Sequence, residues 1–318
     1  MGLADAAQHV NSAWGFEDLL AHVLNNGERR SDRTGTGTLS VFAPPALQYS
    51  LADGKVPLIT SKAVPWKMAL REFMWMLSGS TNTDDLRKSS PAMANLWDLW
   101  ATDGDVGPTY GAQYRNAGGS LFALPNPESF GLTDYGRYAD ERVPAGVDQL
   151  REVVVRLAES PDTRRALISL WSVPELRDMA LEPCMVLFQF SLRGPNYDRL
   201  EVHIYQRSAD LMLGVPFDLF QGGFLAHAIA RELSLLQKRP IQAVRLTWSA
   251  GDTHIYLNQL DAARIQLSQA HTAEPMRAKV VIDRFPSLRL LDGSLEPGHV
   301  TVTDYNPAPA IDAGKPAV

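Results

Sequence analysis

Cys184 is the only cysteine among 318 residues, and it sits in "EPCMVLFQF", directly after Pro183 and at the mouth of an apolar strand-like run. A lone thiol there is either a small core residue or a nucleophile. Only the thiolate reacts, so a nucleophilic role requires nearby cations or hydrogen-bond donors. Arginines stand at several loop and strand ends: Arg33 in "DRTGTGT", Arg164 and Arg165 in "SPDTRR", and Arg207 beside Ser208 in "YQRSAD". Taken singly, each reads as a solvated charge or an ion-pair partner. Taken together, they suit a dianionic phosphate, which rewards planar bidentate donors. The "TGTGT" run lacks the lysine and spacing of a P-loop. Glu72 lies within an apolar helical pattern, where it either pairs or, in a dry pocket, gains a raised pKa and relays protons. Trp97 and Trp100 in "LWDLW" serve equally as core aromatics or as a stacking wall for a flat ligand.

Those residues must be held by regular elements. Apolar spacing predicts a helix over Phe16–Asn26, broken by "NGERRSDRTGTGT". "TLSVFAPPALQYSL" alternates like strands interrupted by Pro44 and Pro45, and a second helix starts at Pro65 and stops at Gly79. A third helix covers "VDQLREVVVRLAES", followed by the short strand "ALISLW". Strands "CMVLFQFSLRG" and "RLEVHIYQRS" are joined by "GPNYD"; then come the helix "FLAHAIARELSLL", the strand "AVRLTWSAGDTHIY" running into a polar loop, and the helix "YLNQLDAARIQLSQ". Gly118 to Val143 reads as an irregular insertion. Strands and helices do not alternate as βαβ units, which predicts an α+β fold: one domain over residues 1–318 with a mixed sheet covered by helices.

Composition narrows the function classes. A net charge of -6 and a pI near 5.7 argue against a bare electrostatic grip on nucleic acid. One cysteine excludes an intrachain disulfide and any cysteine-built zinc site, so no metal is expected and a reducing cytoplasm is the simplest location. The opening "MGLADAAQHVNSAW" lacks the basic-then-apolar plan of a secretion signal, and no apolar run approaches the ~20 residues that span a bilayer.

"DRTGTGTLSVF", "VPLITSKAVPWKMALREFMWMLSGSTN", "LWDLWATDGDVGPTYGAQYR", "SPDTRRALISLW", "EPCMVLFQFSL", "QRSADLMLGVPFD", "GDTHIYLNQ" and the terminal "KPAV" together resemble the thymidylate synthase family, in the family's own order. The likeness implies a homodimer formed through the sheet and 5,10-methylenetetrahydrofolate as co-substrate. Cys184 would add to carbon 6 of a pyrimidine nucleoside monophosphate. Glu72, Tyr110 and Asp210 would serve proton transfer. Arg33, Arg207, Ser208 and Gln206 would bind the nucleotide, with Arg164 and Arg165 reaching in from the partner subunit and His254 and Tyr256 at the sugar. Trp97, Asp210, Leu213, Gly214 and Phe217 would form the folate site, and "KPAV" a lid. Neither nucleic acid nor a membrane is implied as a partner.

Asp218 departs from the family's pattern. Methylating members carry "PFN" where this chain has "PFD". An amide matches the carbonyl and ring N–H of uracil, whereas cytosine presents an amino donor beside a bare ring nitrogen. A protonated or proton-sharing carboxyl matches cytosine. A mismatch leaves buried polar groups unmet at about 1–3 kcal/mol each. Asp218 thus favours a cytidylate, and the chain most resembles the cytidylate 5-hydroxymethylase branch known from nucleoside-antibiotic pathways, with CMP ahead of dCMP. A phage-type dCMP hydroxymethylase and methylation of dUMP are the alternatives within the family. A nucleotide- or RNA-binding protein that has kept the fold and lost catalysis is the alternative outside it. Met185, Ala209 and Tyr114 also replace usual family residues, which puts the sugar preference in question.

Overall fold

The computed structural model of the chain describes residues 14–119, 146–283, 289–292 and 295–314. The Gly118–Val143 insertion falls almost wholly outside them, as does the terminal "KPAV". Helix α1 (Phe16–Asn26) leads into strands β1 (Glu28–Arg30), β2 (Thr38–Phe42) and β3 (Leu47–Ser50). Four helices follow: α2 (Trp66–Leu77), α3 (Thr83–Ser89), α4 (Pro91–Trp97) and α5 (Tyr110–Arg115). Next come α6 (Gln149–Glu159), β4 (Leu167–Ser169), β5 (Met185–Arg193), β6 (Arg199–Asp210), α7 (Gly214–Gln237), β7 (Gln242–Tyr256) and α8 (Leu260–Ala270). A separate hairpin pairs β8 (Lys279–Ile282) with β9 (Val300–Thr303).

The main sheet runs β1-β2-β7-β6-β5-β4, with β3 also bonded to β7. Only β6 and β7 are parallel, with Ile204 beside Trp248; the other pairs are antiparallel, so the sheet is mixed as expected. Proline explains the split of β2 from β3. Ala43 adopts φ 51° ahead of Pro44 and Pro45, and the chain turns so that β2 pairs with the far half of β7 and β3 with its near half. The "GDTHIY" stretch, expected as a loop, is therefore strand: it is paired by β2 on one side and β6 on the other. Its polar side chains had masked the pattern.

Helix α7 also begins ten residues earlier than its apolar periodicity suggests, at Gly214 rather than Phe224. Pro216 is tolerated because it lies in the first turn, where backbone N–H groups lack intrahelical partners. Gly222 and Gly223 read as breakers but serve contact. A Cβ on Gly222 would overlap Ile204 of β6, and one on Gly223 would lie 2.6 Å from Pro57. This close approach lays α7 on the sheet and presents its first turns to the end of β6. Helix α2 ends where expected, with Gly79 at φ 86° just past Ser78.

Candidate active site

The ends of β5, β6 and β7, the first turns of α7, and helices α2 and α4 enclose a cavity of about 940 Å³. Its polar lining includes Arg33, Arg207, Ser208, His254 and Tyr256. Its apolar and aromatic lining includes Trp97, Trp100, Met93, Phe217 and Ile311. Such a lining suits a ligand with a phosphate and a flat heteroaromatic one, because guanidinium groups favour phosphate and indole faces favour stacking. Among the described residues no cluster of His, Cys, Asp or Glu is placed to hold a metal ion.

Cys184 stands on the cavity wall just before β5. Its backbone N–H donates to the Tyr110 hydroxyl at 2.7 Å, and its carbonyl accepts from the Arg207 N–H at 2.8 Å. The Arg207 guanidinium donates to the carbonyls of Pro183 (2.9 Å) and Glu182 (2.8 Å) and lies 5.2 Å from the Trp171 ring centroid. One arginine thus clamps the loop carrying the thiol and faces the same cavity. Cationic company was expected to favour the thiolate. Arg207 does act that way, but burial outweighs it, and Asp218 and Asp210 add to the effect, so the thiol is pushed up to about 11. The resting sulfur is therefore protonated at neutral pH.

Three carboxyl groups on the cavity wall, Glu72, Asp218 and Asp210, have raised pKa values. Burial lifts Glu72 to about 7, against the pull of hydrogen bonds from Trp97 Nε1 (2.8 Å) and Gln221 Nε2 (2.9 Å). Burial lifts Asp218 to about 8, against a hydrogen bond from Gln206 Nε2 at 2.7 Å and with further push from Glu72 and Asp210. Asp218 and Gln221 are three residues apart on α7, which points both toward the cavity. At neutral pH Asp218 is mostly a neutral acid, able to donate as well as accept.

Asp210 caps the turn into α7, accepting from the N–H groups of Met212 (2.8 Å) and Leu213 (3.2 Å). Burial raises its pKa, opposed by His254, those two N–H groups and Lys62. Lys62 is buried against the cavity, donates to the Met212 carbonyl, and is lowered to about 8 by burial although Asp210 opposes the shift. Its segment is strapped by Tyr305, whose hydroxyl accepts from Val64 N–H at 2.7 Å and reaches the Ile59 carbonyl at 3.1 Å. Residues Ala310 to Gly314 complete the wall, while the "KPAV" expected to act as a lid lies outside the described residues. The Arg33 loop is folded around Asp32, which accepts from Thr34 Oγ1 (2.6 Å) and Gly37 N–H (3.1 Å). His254 pairs with Asp252 at 2.9 Å and meets Tyr256 edge-on at 5.2 Å.

The cavity is lined by Cys184, Glu72, Tyr110, Trp97, Arg33, Gln206, Arg207, Ser208, Asp210, Leu213, Gly214, Phe217, Asp218, His254 and Tyr256. Arg164 and Arg165 are not among them. They stand exposed ahead of β4 and line a separate hollow with Arg156 and Asp162. Gln221, Lys62 and Tyr305 were not anticipated. Gln221 and Tyr305 act only through contacts across 149 and 241 residues of chain, which leave no local signal. Lys62 lies in the run "VPLITSKAVPWKMALREFMWMLSGSTN", where a lysine between polar and small residues reads as a surface charge. The family profile described as thymidylate synthase matches residues 14–317 of the chain.

Proposed function

The chain belongs to the thymidylate synthase family, and on that basis we propose that it 5-hydroxymethylates a cytidine monophosphate, preferring CMP to dCMP. Folate-dependent one-carbon transfer to a pyrimidine nucleotide is the family's reaction, and methylenetetrahydrofolate supplies the one-carbon unit. The observation that carries the cytosine assignment is the neutral Asp218 carboxyl on the cavity wall beside Gln206.

In this reading, Arg33, Arg207 and Ser208 hold the phosphate, and His254 and Tyr256 meet the sugar. The Cys184 sulfur loses its proton as it bonds to carbon 6 of the ring, and carbon 5 becomes nucleophilic. Glu72, with a pKa near neutrality, is suited to relay protons at the ring, helped by Tyr110. Trp97, Leu213, Gly214 and Phe217 offer the folate its apolar wall, and Asp210 a polar contact. Asp218 donates to the ring nitrogen through one oxygen and accepts from the amino group with the other. A hydroxymethyl product arises when water adds to the new exocyclic carbon, and a methyl product when hydride does. The role in nucleoside-antibiotic assembly that the resemblance implies belongs to the same reading.

A homodimer packed through the sheet, with Arg164 and Arg165 serving the partner's phosphate, is also part of the proposal. The exposure of Leu167 and Tyr205 on β4 and β6 and the position of both arginines outside the cavity support it. Incubation with CMP, dCMP, UMP and dUMP plus methylenetetrahydrofolate, read by mass, tests the function. A cytidylate heavier by CH2O supports it; methylation of dUMP alone would sink it. Loss of hydrogen from carbon 5 of no pyrimidine nucleotide would indicate a binder without chemistry.

A further inference from the structure

Gln206 is buried at 1% exposure and makes three polar contacts at once. Its Oε1 accepts from Trp248 Nε1 at 2.9 Å; its Nε2 donates to the Ser208 carbonyl at 3.0 Å and to Asp218 Oδ2 at 2.7 Å. Trp248 is fully buried on β7, two residues before Ala250, the register partner of Gln206, and lies outside the cavity lining. An indole nitrogen donates and never accepts, so the amide oxygen must face it. Turning the amide over would set N–H against N–H, and carbonyl against carbonyl at Ser208. Each such buried loss costs about 1–3 kcal/mol. Both amide hydrogens are thereby committed, one of them to Asp218.

We propose that Trp248 is a positioning residue for base selection: its indole N–H locks the Gln206 amide, which makes Asp218 Oδ2 an acceptor and leaves the proton on Oδ1. The inference rests on the assignment of Asp218 to the nucleobase. Oδ1 then donates to the ring nitrogen of cytosine, while the second lone pair of Oδ2 accepts from the amino group. Uracil requires the opposite roles at the two oxygens, which the locked amide resists. Without the indole N–H, only the Ser208 carbonyl still opposes turning the amide oxygen toward Asp218, and the turned orientation, which favours a proton on Oδ2, becomes more accessible.

The test compares kcat/KM for CMP and UMP, read as exchange of the carbon-5 hydrogen by mass. Wild type, Trp248→Phe, and a chain with 3-benzothienylalanine introduced at position 248 by nonsense suppression are assayed together. The analogue keeps the bicyclic shape and removes only the N–H, so it remains informative if the phenylalanine variant fails to fold. The CMP-to-UMP ratio is expected to fall about tenfold or more in both variants. A purely structural role lowers both substrates alike and leaves the ratio unchanged, which would overturn the inference while leaving the Asp218 assignment standing. A wild type that shows no preference for cytosine overturns both.

Discussion

Asp218 concentrates the specificity question in a single carboxyl group. Replacing it by asparagine restores the donor–acceptor order that suits uracil. Asp218→Asn is expected to lower kcat/KM for cytidylates by a factor on the order of 10–100 and to raise it for uridylates, as competition assays with mixed nucleotides would reveal. Cys184→Ser should abolish carbon-5 exchange with every nucleotide. The same carboxyl has a signature without ligand. Its folded pKa is raised to about 8 from 3.8, so the folded state retains a proton that the unfolded chain releases. Stability from this group is full below the unfolded value and is lost as pH climbs toward 8, with a slope of about 1.4 kcal/mol per pH unit. Glu72, raised to about 7, contributes in the same direction. Asp218→Asn should therefore flatten the fall in urea midpoint between pH 5 and 8; an unchanged slope would mean that Asp218 is ionised when folded. Cys184 and Glu72 drew the eye in sequence because their types are unusual for their surroundings, whereas Asp218 stood out only against the family's "PFN" pattern. The partners that tune them were not, since Gln221 and Trp248 look like ordinary helix and strand residues until the fold brings them within 2.9 Å of Glu72 and Gln206.

Helix α7 and strand β7 do most of the positioning, and they are also where element boundaries were hardest to read. Both contain polar or glycine-rich stretches that locally imitate loops: "GVPFDLFQGG" in the helix and "GDTHIY" in the strand. In each case long-range packing overrode local appearance, because Gly222 seats α7 on Ile204 and β2 closes the far half of β7. Strongly periodic elements such as α1 and α2 carried no functional side chain in conflict with their period, except Glu72, and could be read almost to their ends. A methyl group at position 222 would sit 2.3 Å from Ile204 Cδ1, so the Ile204 side chain must turn aside and repack under α7. Gly222→Ala is expected to destabilise the fold by about 1–3 kcal/mol, since overpacked cores shift backbone rather than compress. It should also widen the gap between Asp218 and Gln206, so base selectivity should weaken in the protein that remains folded. Thermal melts and the CMP-to-UMP ratio together check both consequences; a selectivity equal to wild type would show that the helix repacks without moving Asp218.

At the scale of the molecule, the mixed sheet was legible from the lack of βαβ alternation, but the reach of Arg164 and Arg165 cannot be read from one chain. Both are exposed before β4, the strand that ends the sheet, while the cavity sits among the ends of β5, β6 and β7. In the proposed dimer, arginines that lie outside their own cavity serve the phosphate site of a second copy, and two-fold symmetry makes that service reciprocal. Complementation discriminates this from a merely structural role. A Cys184→Ser chain lacks the nucleophile but keeps both arginines; an Arg164→Ala/Arg165→Ala chain keeps the nucleophile but lacks the donated cations. Unfolded and refolded together in equal amounts, they form mixed dimers in which one cavity has its own Cys184 and the arginines of the other chain. Random pairing makes about half the dimers mixed, with one intact site in two, so activity should recover to about a quarter of wild type. Each variant alone should stay far below that level. If the mixture is no more active than the mean of its parts, the arginines act within their own chain or not at all, and the shared phosphate site must be abandoned.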